Sequence, residues 1–288
     1  MTNYQSLTQF TFANKLRLIW SVVTMRLRIL SRYPGFRLLD IIMPTFIAAM
    51  PILLGQAIGG GAVRAAQNFQ ANTGTTNYVA YLLIGSNVFM MVSGTMWNVG
   101  YWLRREAETG TLEALYLAPT GRGAILAGIA LYGNLRMMVN FILAFTLGAL
   151  VFGVNPLQGD ILLALVFLFI GLIPLFGIAL LYGAIILRIK EANALIRLAQ
   201  WAASLLMGLF FPIAIFPGWL RFIALAFPPT WMNNGVRASL LGVGFFFEQW
   251  YFDLAMLGAF CVIVPLLGYR LFIRTERSVQ RDAGVGEF

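Results

Sequence analysis

Six long apolar segments, separated by short polar ones, dominate the pattern of this 288-residue chain. An α-helix needs about 20 predominantly apolar residues to cross a bilayer. The mean hydropathy is +0.80 and 60% of the residues are hydrophobic, which is typical of polytopic helical membrane proteins. The pattern therefore predicts an all-α membrane protein with six transmembrane helices in a single domain, residues 1–288. The predicted spans are Leu38–Ile58, Tyr78–Leu103, Ile125–Phe152, Ile161–Leu187, Leu198–Ile215 and Trp250–Ile273.

The basic residues lie mainly on one side of these spans. Most of the 20 Lys and Arg residues precede the first span, lie in the second-to-third or fourth-to-fifth loop, or follow the last span. Lys and Arg are enriched in the cytoplasmic loops of membrane proteins. We therefore expect a multi-pass protein of the cell membrane with both termini in the cytoplasm. The net charge of +9 then reflects topology, and we expect no nucleic acid as a partner.

Two further apolar segments do not fit a simple span. Residues 10–35 carry a narrow polar stripe, which predicts an amphipathic helix in the cytoplasmic interface, ended by Pro34-Gly35. Residues 217–249 are too apolar for an ordinary loop, but a seventh span would place the basic tail outside. We expect two re-entrant outer helices there, with a break at Pro228-Pro229. The stripe of the first segment consists of Arg17, Ser21, Thr24, Arg28 and Arg32.

A dense polar segment, residues 104–122, separates the second span from the third. It begins with the sequence RREAETGTLE and carries charges of both signs. Because Asp and Glu contribute little to membrane topology, its carboxylates indicate a docking surface for a soluble partner. A solvated loop is the alternative. We expect Gly110 to allow a bend and Thr111 to cap the start of a helix. The carboxylates and their apolar neighbour are Glu106, Glu108, Glu113 and Leu112.

Several kinds of site are excluded by residues that the sequence lacks. It contains no His, which excludes His catalysis and His metal sites, and neither Lys15 nor Lys190 follows a glycine as a phosphate-binding loop requires. The predicted spans also lack the paired carboxylates of an ion-coupled transporter. Asp40 lies at the cytoplasmic mouth of the first span, where we expect a local pair with Arg37. Cys261 lies in an apolar run and is expected to serve packing.

Arg136 is the ionisable residue that we expect at hydrocarbon depth. It fits a substrate or gating contact, or an arginine that reaches the cytoplasmic face or bonds a neighbouring helix. The aromatic residues in and after the fifth span fit an adaptable apolar pathway, lipid-facing packing, or stacking on sugar rings. The aromatic pathway candidates are Phe210, Phe211, Phe216, Trp219 and Trp231.

Three stretches of the chain resemble the membrane subunits of ABC-2 type exporters, also called type V ABC exporters. Arg104–Arg122 is similar to the cytoplasmic signature of that family: an acidic run, Gly-Thr-Leu-Glu, an apolar pair, a proline and a basic residue. Leu187–Leu198 resembles its second cytoplasmic loop, and Phe210–Gly242 resembles its outer re-entrant region. The pattern departs mildly at Trp231, where the family often has tyrosine, and at Met207-Gly208, where it often has serine-glycine.

The resemblance implies a division of labour between subunits. Such a chain pairs with a second membrane subunit, identical or related, on two cytoplasmic ATP-binding subunits that bind ATP and Mg, so it needs no cofactor or metal of its own. The implied function is export of a lipophilic or amphiphilic molecule: a drug, a lipid or a glycolipid. A glycan or ion exporter, an ion-coupled secondary transporter or channel, and a lipid-modifying enzyme are the alternatives. The second loop adds three residues to the expected coupling surface, Arg188, Lys190 and Glu191.

Overall fold

The computed structural model of the chain describes residues 12–32, 34–108, 122–186 and 192–282. These residues form ten α-helices and one short 3-10 turn, Ile213–Ile215, and include no β-strand. The helices are α1 (Phe12–Ser31), α2 (Pro34–Gly59), α3 (Ala62–Thr73), α4 (Tyr78–Glu108), α5 (Arg122–Phe152), α6 (Ile161–Ile186), α7 (Ala192–Leu206), α8 (Gly218–Leu225), α9 (Pro228–Leu241) and α10 (Trp250–Asp282).

Five of the described helices are long and apolar enough to cross a membrane, which makes the chain an all-helical, multi-pass membrane protein. They correspond to the first, second, third, fourth and sixth predicted spans. The helix of the second span continues past the predicted end, Leu103, to Glu108. The apolar segments are Leu38–Gly59, Tyr78–Trp97, Leu131–Phe152, Ile161–Ile185 and Trp250–Thr275.

The predicted fifth span, Leu198–Ile215, is wrong as a continuous helix. Helix α7 ends at Leu206, because Gly208 adopts the left-handed conformation with φ 65°. The Gly208 amide donates a hydrogen bond to the Leu205 carbonyl at 2.9 Å, and the Leu209 amide donates one to the Ser204 carbonyl at 3.0 Å. These two bonds form a Schellman motif, which stops a helix and satisfies its last carbonyls. The flanking residues are apolar on both sides of Gly208, so the hydrophobic pattern does not reveal the stop.

Helix α4 lies at the centre of the described bundle. In its apolar segment 72% of the residues are buried, against 22% in the corresponding segments of α2 and α10. Helices α6 and α10 approach closely at Gly177, where an added Cβ would lie 2.5 Å from the Pro265 nitrogen. Small residues at such crossings let membrane helices pack backbone to backbone. Helix α1 packs beside the start of α5, where Val22 faces Gly128.

Helices α8 and α9 form a hairpin at one end of the molecule. The predicted break is present, because α8 ends at Leu225 and α9 begins at Pro228. Helix α9 runs antiparallel to α6: the Asp160 amide donates to the Ser239 carbonyl, Gly235 packs on Phe167, and Met232 packs on Gly171. Because the two helices run in opposite directions, Pro228 at the start of α9 lies further from the end of the bundle where α6 begins than Ser239 does. Entry of the hairpin into the bilayer stays a prediction.

The contacts between helices fix which helix ends lie together. Tyr81, near the start of α4, contacts Arg237 of α9, and Asp160, at the start of α6, contacts Ser239 of the same helix. The starts of α4 and α6 therefore lie at the same end of the bundle, which we call the hairpin end. Helices α6 and α10 run parallel, because the Cys261 thiol donates to the Ile170 carbonyl and, further along both helices, Pro265 lies against Gly177. The opposite, loop end therefore gathers Glu108 of α4, Ile186 of α6 and the end of α10. Helix α1 lies at the loop end too, because it packs on the start of α5.

Candidate functional site

Two of the coupling residues predicted from the sequence belong to the loop end. Glu106 and Glu108 lie on the last turn of α4, in direct continuity with its apolar segment. The other seven coupling candidates lie outside the described residues: Gly110, Thr111, Leu112, Glu113, Arg188, Lys190 and Glu191. The helices that flank both loops are described, however. Helix α4 leads into the first loop and α5 leaves it, whereas α6 leads into the second and α7 leaves it.

At the hairpin end, a polar stripe on α9 caps the end of α7. Four consecutive carbonyls, those of residues 206–209, each accept a hydrogen bond from this stripe. Thr230 Oγ1 donates to Leu206 at 3.1 Å, and Asn233 Nδ2 donates to Met207 at 2.8 Å. Arg237 donates to Gly208 and Leu209, both at 2.7 Å. The last carbonyls of a helix have no intrahelical partner and carry partial negative charge, so these donors, and the cation above all, stabilise the break.

Arg237 is the centre of this arrangement. Its side chain is 2% exposed, its Nε donates to the Tyr81 carbonyl at 3.1 Å, and its Cζ lies 3.6 Å from the centre of the Tyr81 ring. Burial lowers the pKa of Arg237 to about 10, because desolvation disfavours the charged form. The guanidinium therefore still carries its charge at neutral pH. It ties α4, α9 and the turn after α7 together.

The sequence interpretation missed this stripe as a functional feature. Arg237 is one of the few basic residues outside the predicted cytoplasmic segments, and the pattern of hydropathy and charge assigned it no role. The signal is the recurrence of Thr230, Asn233 and Arg237 at steps of three and four, which places them on one helix face. An arginine on the polar face of an otherwise apolar hairpin indicates a specific buried partner.

A second polar contact links α2 and α5. The Arg136 guanidinium donates to the Asp40 carboxylate, and Asn140 Nδ2 donates to the same oxygen at 3.2 Å. Asp40 thus pairs with a neighbouring helix. The expected pair of Asp40 with Arg37 stays a prediction, because the side chain of Arg37 lies outside the described residues. Of the interpretations left open for Arg136, the structure shows the bond to a neighbouring helix.

The aromatic pathway candidates do not form one surface. Phe211 and Phe216 contact each other edge to face, with ring centres 5.8 Å apart. Phe210 is half-buried against the core, and Trp219 is 68% exposed. Trp231 is 2% exposed, its indole N–H donates to the Leu225 carbonyl at 2.7 Å, and it packs on Phe246 and Phe247. As placed, Trp231 stabilises the α8–α9 hairpin.

The hairpin end also contains a cavity of about 240 Å³. Its walls come from the end of α3, the turn after α7, helices α8 and α9, and residues 243–246. The loop that contributes Phe245 and Phe246 is fixed by Asp253, which accepts the amide hydrogens of Phe246 and Phe247 at 2.9 and 3.0 Å. The polar lining residues are Asn72, Thr73, Tyr81, Arg221, Thr230, Asn233, Asn234 and Arg237.

A comparison with family models matches residues 17–241, most of the chain, to the ABC-2 type transporter family. A comparison with curated proteins found no significant match. The matched range begins in α1 and ends with α9, so it includes the capped break, the hairpin and both loops of the loop end. Membrane domains of this family are transport subunits without an ATPase domain, and they typically pair with ATP-binding subunits. The chain belongs to the ABC-2 type transporter family, as the membrane permease subunit.

Proposed function

We propose that this permease subunit exports a lipophilic or amphiphilic molecule from the cytoplasm, driven by two ATP-binding subunits docked at the loop end. The observation that carries the proposal is the continuity of α4. Its 31 residues run unbroken from the hairpin end, where Tyr81 contacts Arg237, to Glu106 and Glu108 at the loop end. At about 1.5 Å per residue, this helix is about 46 Å long, which exceeds the thickness of the hydrocarbon core.

Helix α4 connects the polar segment, residues 104–122, to two polar contacts that hold α7. Near the middle of α4, Ser93 Oγ accepts a hydrogen bond from Gln200 Nε2 of α7 at 2.7 Å. Near its start, the Tyr81 carbonyl and ring hold Arg237, which caps the end of α7. A displacement of the polar segment therefore shifts α7 and the α8–α9 hairpin through these hydrogen bonds. This is how docking and closure of ATP-binding subunits would move the membrane part.

Helix α7 is the sixth crossing in this proposal, although it is short. Its 15 residues make it about 22 Å long. Gln200 lies level with Ser93 and Leu209 lies level with Tyr81, so α7 and its capped turn together cover much of the depth of α4. With six crossings, the N-terminal helix, both loops and the C-terminal helix end share the cytoplasmic side. The basic residues of these segments support that orientation.

An exposed stripe on α7 supports a second membrane subunit. Leu198, Trp201 and Leu205 recur at steps of three and four and are 66%, 71% and 43% exposed. The opposite face of α7 is buried at Ile196 and Ala203. We propose that this stripe faces the second subunit across the transport pathway, with Phe211, Phe216 and Trp219 near its outer end. An apolar wall of this kind suits lipophilic and amphiphilic molecules.

The coupling surface tests the proposed function. Replacing Glu113→Arg or Leu112→Asp should leave the chain folded and inserted, and should reduce both recovery of the ATP-binding subunit and ATP-dependent transport. The matched control is Glu248→Arg, an exposed carboxylate beyond α9 at the hairpin end, which should change neither. Unchanged transport in both coupling variants would refute the docking surface, and transport without any ATP-binding subunit would indicate a secondary transporter or channel.

A further inference from the structure

We infer that helix α1 carries a binding surface for anionic phospholipids of the leaflet at the loop end. The inference goes beyond the proposed function, because these lipids belong to the surrounding membrane and are not the exported molecule. Three properties of the described residues carry it: the side of α1 that the protein covers, the sign of the charge on the opposite side, and the apolar flanks between the two.

One side of α1 is fixed against the start of α5. Val23 is fully buried, and a Cβ added at Gly128 of α5 would lie 2.9 Å from Val22 Cβ and 3.2 Å from the Ile19 carbonyl oxygen. Small residues allow such close contacts between helices of membrane proteins. The contact with α5 therefore decides which residues of α1 face away from the protein.

The polar stripe of α1 lies on the side opposite this contact. Successive residues of an α-helix are turned by about 100°, which places Arg17, Arg28 and Arg32 roughly opposite the face that contacts α5. The side chains of all three arginines are exposed. Residues 1–39 contain six basic residues and no Asp or Glu. The outward side of α1 is therefore positively charged, and its own stretch of chain supplies no carboxylate to neutralise it.

Apolar side chains remain exposed on both flanks of the α1 stripe. On one flank Leu16 and Trp20 are 51% and 61% exposed, and on the other Met25 and Ile29 are 51% and 46% exposed. A basic stripe beside exposed Trp and Leu residues is typical of a helix in the interface of a bilayer, with its apolar sides among the acyl chains and its charges at the headgroups. The two flanks therefore place the arginines at the depth of the lipid phosphates.

The charge of the α1 stripe selects the kind of headgroup. An anionic membrane surface favours each nearby Lys or Arg by about fivefold, and this attraction falls off within a Debye length. A zwitterionic phospholipid carries a cation beside its phosphate, and no carboxylate in residues 1–39 can pair with that cation. An anionic phospholipid presents a net negative charge, to which guanidinium groups donate strong hydrogen bonds. The stripe is therefore complementary to anionic lipids.

Fluorescence energy transfer to labelled lipids tests the inference. A donor fluorophore is attached to Leu16→Cys in a Cys261→Ala background, and the full chain is placed in phosphatidylcholine nanodiscs. A small and equal fraction of phosphatidylglycerol or of phosphatidylcholine carries the acceptor on its acyl chain. We expect labelled phosphatidylglycerol to be enriched at least about fivefold at this position. Leu162→Cys, at the start of α6 and 74% exposed in the unmodified chain, should show nearly equal transfer to the two lipids.

Paired substitutions separate the charge of the stripe from its structure. Arg17→Gln with Arg32→Gln should lower the enrichment severalfold, whereas Arg17→Lys with Arg32→Lys should retain it, because the charge remains. The matched control, Arg64→Gln with Arg221→Gln, removes the same charge from exposed residues at the hairpin end and should leave the enrichment at Leu16→Cys unchanged. Salt of about 1 M, which shortens the Debye length to about 3 Å, should reduce the enrichment.

Several outcomes would overturn the inference. They are equal transfer to the two labelled lipids at Leu16→Cys, enrichment that persists in the glutamine pair, and enrichment that disappears in the lysine pair. Loss of the enrichment with inorganic phosphate at constant ionic strength would show a site for a free anion, and loss on addition of the ATP-binding subunit would assign the stripe to that subunit. Because the measurement needs no ATP, its failure is distinct from a failure of coupling in the Glu113→Arg experiment.

Discussion

Gly85 of α4 lies directly against the Arg237 guanidinium of α9, and no larger residue fits between them. A Cβ at Gly85 would overlap Arg237 Nη2 and approach the Leu209 carbonyl oxygen to 2.6 Å. The close approach lets one cation reach the carbonyls of Tyr81, Gly208 and Leu209 at once. Gly85 is therefore as much a part of the cap on α7 as the arginine itself.

The first prediction concerns this contact. Gly85→Ala should destabilise the permease, because the methyl group displaces either the guanidinium or the turn after α7. Gly258→Ala in α10 is the matched control, since a Cβ there meets no atom within 4 Å. The effect is measured as a change in the unfolding temperature of the purified protein, with unfolding monitored as the loss of its monodisperse peak on heating. Equal unfolding temperatures for the two variants would contradict the proposed role of Gly85.

Arg237→Met should be more harmful than Gly85→Ala. It leaves the carbonyl oxygens of Tyr81, Gly208 and Leu209 without their charged donor, and each buried acceptor left unsatisfied costs about 1–3 kcal/mol. Arg221→Met, which removes an exposed arginine from the wall of the same cavity, should have little effect on stability. The same unfolding assay compares the two.

A second prediction concerns the pair of Asp40 and Arg136. Their side chains are 29% and 20% exposed, so Arg136→Gln or Asp40→Asn alone should lower stability, on the order of 3 kcal/mol, by leaving one charge without its partner. The double variant Asp40→Asn, Arg136→Gln should be less affected than the sum of the two single variants. A double-mutant cycle measures this coupling. Additive effects would show that the two charges act independently.

A third prediction concerns topology. In a Cys261→Ala background, an impermeant maleimide added from outside should label Gln67→Cys and should not label Thr109→Cys or Ser278→Cys. The structure makes Asn233 unsuitable as an outer labelling site, because this residue is fully buried. Labelling after permeabilisation is the control for reactivity. External labelling of Ser278→Cys would mean an odd number of crossings and would exclude α7 as the sixth.

A fourth prediction concerns the second membrane subunit. Single cysteines at Leu198, Trp201 and Leu205 should cross-link between two copies if the exposed stripe of α7 faces the partner. Cysteines at Ile196 and Ala203, on the buried face, should not. Helical periodicity is expected only as far as Leu206, where α7 ends. If the subunits of an active complex are two copies of this chain and the stripe never cross-links, α7 does not line a shared pathway.

The sequence by itself determined the class of protein and most of its helices. Five of six predicted spans, the helix around residues 12–31 and the break before Pro228 are present in the structure. These features follow from local properties: about 20 apolar residues favour the bilayer wherever they lie in the chain, and proline restricts its own neighbourhood. No knowledge of the other helices is needed to predict them.

Only the tertiary structure decided how the polar groups are paired. Asp40 meets Arg136, 96 residues away, and Arg237 meets Tyr81, 156 residues away. Helix α7 ends at Leu206 although the apolar pattern continues, because Gly208 turns the chain and the α9 stripe supplies donors for the carbonyls that the stop leaves unpaired. In an apolar surrounding each polar group must find a partner, but which partner it finds depends on how the helices pack. Hydropathy fixes the depth of a residue in the membrane and leaves its neighbour undetermined.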